Sequence, residues 1–351
     1  MSYDQIFAPT KVLFGNESLT YLKEIKQQYN HIFIIASKSL NEHLREEINA
    51  FLGDSLELFR QGDLSGEPTE ENINFLLSQK TENTDCIIGI GGGSYLDAAK
   101  VLAIQEDKLS NFDDESSKVL PIVAIPTTAG TGSETSRGSV IKCNGIKKGI
   151  RSNKFLPKVA IIDPRLCESL PLNLTLYTGF DALTHAVETF MSKKSNTFTR
   201  LLSEKSVKLL FTYLPLAKKE FTEFGKISLK TREKLSYAAM LQGFNLANAS
   251  TCIPHRMQYA LSTVSNATHP QGLAAIFRAW LKCSQPIIAG YNYKDIIQLM
   301  DNLRINFTLK DLGIYEEHFE KILSNLSSGL EVDPCYENES TLRKILEESL
   351  S

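Results

Sequence analysis

Asp181 and His185 stand four residues apart in the run Gly179-Phe180-Asp181-Ala182-Leu183-Thr184-His185. On an α-helix, positions i and i+4 share one face, so this carboxylate and imidazole point the same way. The chain has only six histidines. His255 follows Pro254 near an expected helix start, and His269 precedes Pro270 fourteen residues later. One carboxylate and three imidazoles form a borderline ligand set suited to Fe2+ or Zn2+. Each of these histidines, taken singly, also reads as a structural or exposed side chain. His31, His43 and His318 lack such company and carry no chemistry.

A second kind of chemistry is written in glycine. The apolar run Cys86 to Ile90 stops at Gly91-Gly92-Gly93-Ser94, and a helical pattern follows from Tyr95. Missing Cβ atoms let a backbone approach a pyrophosphate, and a helix start offers free N–H groups at the positive end of its dipole. The next buried run ends in Pro126-Thr127-Thr128-Ala129-Gly130-Thr131-Gly132-Ser133, four hydroxyls and two glycines suited to a polyanion or a ribose. The spacing Gly-x-Gly-x-x-Gly is absent, since Gly91 to Asp97 reads Gly-Gly-Gly-Ser-Tyr-Leu-Asp. The site is therefore not the ordinary dinucleotide fingerprint.

The elements that hold these residues divide the chain in two. His31 to Ala36, Cys86 to Ile90, Val119 to Ile125 and Val159 to Ile162 are apolar runs without alternation, as in strands buried on both faces of a parallel sheet. Leu56 to Phe59 is a weaker strand candidate, and helices are expected at Glu42 to Leu52 and Glu71 to Gln79. Beyond Asp163-Pro164 the pattern is amphipathic helix to the end, punctuated by Pro171 and Pro215, with a last helix over Ser340 to Leu350. The expected organisation is an α/β domain over 1–164 and an all-helical domain over 165–351.

Composition narrows the function. A chain of 351 residues exceeds the usual single-core limit, and 42% hydrophobic with 23% charged residues is ordinary for a globular protein. A net charge of −3 argues against nucleic acid or an acidic membrane as partner. The N-terminus shows no signal peptide, and no apolar run has membrane-spanning length. Six cysteines without a Cys-x-x-Cys pair suit reduced thiols in a cytoplasm.

Together these motifs resemble the iron-containing alcohol dehydrogenase family. The resemblance covers Gly15 to about Gly272. Besides the glycine motif extended through Asp97 and Lys100, it is carried by the threonine loop through Glu134, the run Gly179 to Glu188, and the pair His255 and His269. It implies an N-terminal Rossmann-like parallel-sheet domain followed by a helical C-terminal domain, the fold shared with dehydroquinate synthase, with the active site in the cleft between them. Carried over residue by residue, Asp181, His185, His255 and His269 are the implied ligands of one divalent metal. Ser37, Gly91, Gly92, Gly93, Ser94, Asp97, Thr127, Thr128, Thr131, Ser133 and Lys148 are the implied cofactor contacts. A homo-oligomer, a dimer, is also implied.

The implied reaction is metal-assisted hydride transfer between NAD(P)(H) and a primary alcohol or aldehyde, including small or anionic ones such as phosphonate or sugar-derived aldehydes. NAD-preferring members commonly carry an acid near Ser37, whereas Ser37 and Lys38 here favour the phosphate of NADP. The chain departs from the family at Tyr259, where members often have a histidine, and at Pro270-Gln271-Gly272, where glycine usually follows the last ligand directly. A cyclising lyase of the dehydroquinate synthase type, using NAD and zinc, is one alternative; a non-catalytic nucleotide-binding protein on the same scaffold is another.

Overall fold

The apolar runs assemble into one parallel sheet. In the computed structural model, which describes residues 4–53, 64, 66–104, 118–143 and 145–351, the strands are β1 (Lys11–Phe14), β2 (Ile32–Ala36), β3 (Cys86–Gly91), β4 (Ile122–Pro126) and β7 (Val159–Ile162), in the order β1-β7-β4-β3-β2. All neighbours in it are parallel. Every residue of β3, β4 and β7 is buried, which explains why their sequences do not alternate. Helices α1 (Leu22–Gln28), α2 (Glu42–Leu52), α3 (Glu70–Gln79) and α4 (Gly93–Leu102) cover the sheet. One apolar cluster fills the α1–α2 face and another the α3–α4 face. The weaker strand expected at Leu56 to Phe59 lies outside the described residues.

Two strands between β4 and β7 escaped the sequence reading. β5 (Gly138–Cys143) and β6 (Ile146–Arg151) form an antiparallel hairpin turning at Gly145, whose φ of 79° favours glycine. Lysines and serines interrupt their apolar signal, and burial alternates along β5. β1 is a four-residue edge strand, too short to announce itself.

From Leu172 onward the chain is helical: α5 (Leu172–Met191), α6 (Thr197–Phe224), α7 (Leu229–Asn248), α8 (Ile253–Leu261), α9 (His269–Ser284), α10 (Tyr293–Leu303), α11 (Phe319–Ser324) and α12 (Glu339–Glu348). The exception is a two-residue strand pair, β8 (Ile287–Ile288) with β9 (Tyr291–Asn292). Pro171 punctuates as expected, just ahead of α5, but Pro215 sits inside α6, which runs through it. An internal proline costs about 3 kcal/mol. Leu210, Leu214 and Ala217, fully buried in the helical core around it, outweigh that cost.

Ala160 and Ile162 of the sheet pack on Met240 and Leu241 of α7, joining the two halves. There α7 comes so near the threonine loop that a Cβ on Gly243 would collide with Thr135 Oγ1 and the Gly132 carbonyl. No helix among the described residues is long and apolar enough to cross a membrane.

Candidate active site

The α5 stripe Asp181, His185, Glu188 faces the starts of α8 and α9. His255 Nε2 and His269 Nε2 each lie 3.4 Å from Asp181 Oδ1. His185 stands one step back, its Nε2 3.9 Å from the same oxygen and its ring stacked on His255 at 4.3 Å between centroids. Asp181 Oδ1 and His255 Nε2 are buried and satisfied by no hydrogen bond. Uncompensated buried polar atoms are costly, so several aimed at one point call for a shared partner. Donors bound at about 2.1 Å to one tetrahedral cation sit about 3.4 Å apart, which is the spacing found between Asp181 and the two imidazoles. The donor set therefore fits a divalent metal.

Other side chains hold the rings in place. Glu188 Oε1 lies 2.5 Å from His255 Nδ1, and Glu188 Oε2 accepts from the Cys252 amide at 2.7 Å. Gln258 Oε1 lies 2.7 Å from His269 Nδ1. Such contacts fix the tautomer and turn each Nε2 toward Asp181. A reciprocal capping box between Thr268 and Gln271 sets the start of α9, and with it the place of His269.

The charges agree with cation binding. Burial alone would raise the Asp181 carboxyl, but the surrounding imidazoles hold it well below the usual carboxylate range. Burial drives His185 down to about 3, leaving it the neutral form that ligates metals. Burial also opposes charge on His255, yet Glu188 and Asp181 outweigh it and push that ring up to about 9. The pocket favours positive charge at its centre.

The cofactor-loop candidates gather at the carboxyl edge of the sheet. Gly91 pairs with Pro126 in register, the Thr127 amide donates to the Gly91 carbonyl at 2.9 Å, and the Ser37 amide donates to the Ile90 carbonyl at 2.8 Å. Gly93 opens α4 so close to the second loop that an added Cβ would meet Thr131 Cγ2 at 2.8 Å. Lys38 is exposed beside Ser37. Ser94 Oγ donates to the Gly66 carbonyl. Asp97 is turned inward: its oxygens accept from Ser133 Oγ at 2.6 Å and the Val140 amide at 2.7 Å. Ser133 Oγ also accepts from the buried Lys100 ammonium at 2.7 Å. Asp97, Lys100 and Ser133 thus brace the two loops against each other.

The hairpin supplies a wall that the sequence reading did not see. Residues alternate along β6, so Lys147 is buried and Lys148 is exposed. Lys147 is turned inward and pairs with Glu67 at 2.7 Å, whereas Lys148, the implied cofactor contact, lies exposed beside it. Burial would raise the Glu67 carboxyl, but Lys147 and His269 bring it below the usual range. The ring of Tyr259 lies 6.2 Å from that of His269 and close against Gly149. Burial, reinforced by Asp97, Glu67 and Asp181, pushes its phenol up, so it stays protonated. Glu188 could have been found from sequence, since it continues the Asp181/His185 stripe at i+7. Glu67, Lys147 and Gln258 gave no such signal.

Known proteins resemble this chain over most of its length. The model of iron-containing alcohol dehydrogenases matches residues 9–164, and that of the family's C-terminal region matches 175–297. The 1-propanol dehydrogenase of Citrobacter freundii is 35% identical over 273 residues, covering 76% of this chain and 69% of that protein. The NADPH-dependent butanol dehydrogenase of Clostridium saccharobutylicum is 26% identical over 362 aligned positions, covering 93% and 91%. A solved iron-containing alcohol dehydrogenase matches with a TM-score of 0.87 at 25% identity over 99% of both chains. With relatives of this closeness named as alcohol dehydrogenases, the chain belongs to the iron-containing alcohol dehydrogenase family of oxidoreductases.

Proposed function

We propose that the protein catalyses RCHO + NAD(P)H + H+ ⇌ RCH2OH + NAD(P)+ on a small primary alcohol or its aldehyde, with Asp181, His185, His255 and His269 as the ligands of one Fe2+ or Zn2+. The observation that carries this reading is the pair of imidazole nitrogens 3.4 Å from one buried, unpartnered carboxylate oxygen. When bound, the cation supplies Lewis acidity to the substrate oxygen, and the nicotinamide exchanges hydride with the substrate carbon.

The chain's own groups supply binding and orientation. Glu188 and Gln258 keep the two rings aimed, and the glycines at the start of α4 leave room for phosphates beside free amides. Tyr259, held protonated, can donate a hydrogen bond but not act as a base. An exposed Lys38 beside Ser37 suits the additional phosphate of NADP, the cofactor type named for the Clostridium relative. We place the division between the cofactor-binding and helical domains near residue 164, between the last strand of the sheet and α5.

The test uses protein purified anaerobically and supplied with Fe2+ or Zn2+, following reduced-nicotinamide absorbance with NADH or NADPH and a panel of small aldehydes. Metal-dependent consumption is expected, and His269→Ala should lose most bound metal and nearly all turnover. Activity retained by metal-stripped His269→Ala protein would overturn the ligand assignment.

A further inference from the structure

Four of the six cysteines, Cys86, Cys143, Cys167 and Cys252, are buried, whereas Cys283 is exposed and Cys335 is half-buried. These two meet, although fifty-two positions separate them in the chain. Cys283 lies in the last turn of α9, and Cys335 in the irregular stretch that precedes α12. Both carry free thiols, and the Cys335 thiol is within hydrogen-bonding reach of the Cys283 sulfur.

A single carboxylate brings them together. Trp280 and Cys283 stand three residues apart on α9 and so share one of its faces. Trp280 Nε1 donates to one oxygen of the wholly buried Asp333 at 2.8 Å, and the Cys335 amide donates to the other at 2.7 Å. Asp333 thereby holds the segment bearing Cys335 against the face of α9 that bears Cys283. On the far side of Cys335, Leu342, Ile345 and Leu346 of α12 join the apolar cluster that contains Phe277 and Leu281 of α9. The segment is fixed at both ends.

Two sulfurs side by side could serve a metal or each other. A metal needs further donors, and the nearest carboxylate is already used by the Ile253 and Cys335 amides and the Trp280 indole. Among the described residues, the metal-type grouping of acids, histidines and cysteines is the one at Asp181. Disulfide chemistry remains, and the two thiols are unequal in it. Exposed Cys283 is open to a solute, whereas burial, the contact with Cys283 and the charge of Asp333 push the Cys335 thiol well up and keep it protonated. The helix end at Cys283 and the irregular backbone at Cys335 both leave room for the adjustment a bond requires.

We propose that Cys283 and Cys335 form a reversible dithiol–disulfide site for low-molecular-weight disulfides of the glutathione type, and that its closure fastens the C-terminal segment to α9. The Cys283 thiolate attacks oxidised glutathione, forming a mixed disulfide as the glutathione S–S bond breaks. The departing glutathione thiolate takes up the proton that Cys283 released. Cys335 Sγ then attacks Cys283 Sγ, closing the protein disulfide and expelling the second glutathione with the Cys335 proton. Two protein thiols are oxidised and one glutathione disulfide is reduced to two thiols. The bond closes a loop of about fifty residues, which restricts the unfolded chain and stabilises the folded one if the native geometry accepts it.

The full chain is incubated with oxidised glutathione and read by intact mass and by peptide mapping without reductant. Wild type is expected to lose two hydrogens, with the Cys283 and Cys335 peptides joined, and dithiothreitol should restore the starting mass. Cys335→Ser should stop at one glutathionyl group on Cys283, and Cys283→Ser should form no internal bridge. Urea unfolding of the oxidised and reduced wild type then tests the fit, and the midpoint should rise on oxidation. Unmodified protein, a lasting glutathionyl adduct on wild-type Cys283, or bridges only between molecules would overturn the proposal. So would a midpoint that stays level or falls, because the bond would then form only by straining the fold.

Discussion

His255 Nδ1 and Glu188 Oε1 lie 2.5 Å apart, both wholly buried, on helices whose residues are sixty-seven positions apart. The second oxygen of Glu188 holds the Cys252 amide just before α8. One carboxylate therefore sets both the position of the helix start and the aim of the imidazole it carries. Glu188→Gln keeps the shape and removes the charge. Metal affinity should fall about 10- to 100-fold, as for other groups that orient a ligand from behind. A competitive chelator titration of the folded variant reads this directly; an unchanged affinity would mean that Glu188 is only a packing residue.

Gly93 marks where the glycine turn and the threonine loop nearly touch. A methyl there would lie 2.8 Å from Thr131 Cγ2, forcing that side chain out of its place in the candidate cofactor site. Gly93→Ala should weaken NADPH binding by about tenfold, ~1.4 kcal/mol, in a fluorescence titration. Thermal stability should change little, because alanine is the better helix former at this first helical position. An unchanged dissociation constant would rule this loop out as a nucleotide contact.

Asp333 is the buried pin of the helical half. It accepts from the Ile253 amide and Trp280 Nε1, both at 2.8 Å, and from the Cys335 amide at 2.7 Å. Asp333→Ala strands three donors in the interior and should cost about 3–5 kcal/mol. Urea unfolding measures it; a loss under ~1 kcal/mol would show that water or local rearrangement satisfies those donors. Because Ile253 begins the helix bearing His255, metal affinity should weaken as well.

Glu134 predicts a pH dependence of stability. Burial pushes its carboxyl from 4.5 up to about 7, against the pull of a backbone hydrogen bond and of Lys100. The folded chain then holds a proton that the unfolded chain releases, so stability falls as pH rises between 4.5 and 7. At about 1.4 kcal/mol per pH unit the loss approaches ~3 kcal/mol. Glu134→Gln should remove this component, so that the variant gains on the wild type from pH 5 to pH 7.5. A difference between the two proteins that stays constant over that range would refute the assignment.

Local periodicity carried much of this molecule. Cys86 to Ile90 and Val159 to Ile162 were legible as strands because burial on both faces leaves a solid apolar run. Glu42–Leu52 forms the helix its amphipathic spacing suggests. Asp181 and His185 could be placed on one face because helix geometry relates residues only four apart. Contacts over long separations had no such record. The approach of His255 and His269 to Asp181 and the ion pair of Glu67 with Lys147 across eighty positions depend on how many helices and strands pack at once. That Lys147 is buried and Lys148 exposed turned on the register of a hairpin, where a shift of one residue exchanges the faces. Helix α6 crosses Pro215 because the burial around it outweighs a local rule. Neighbouring residues decided the elements and the types of chemistry available, whereas packing summed over the whole chain decided which side chains meet.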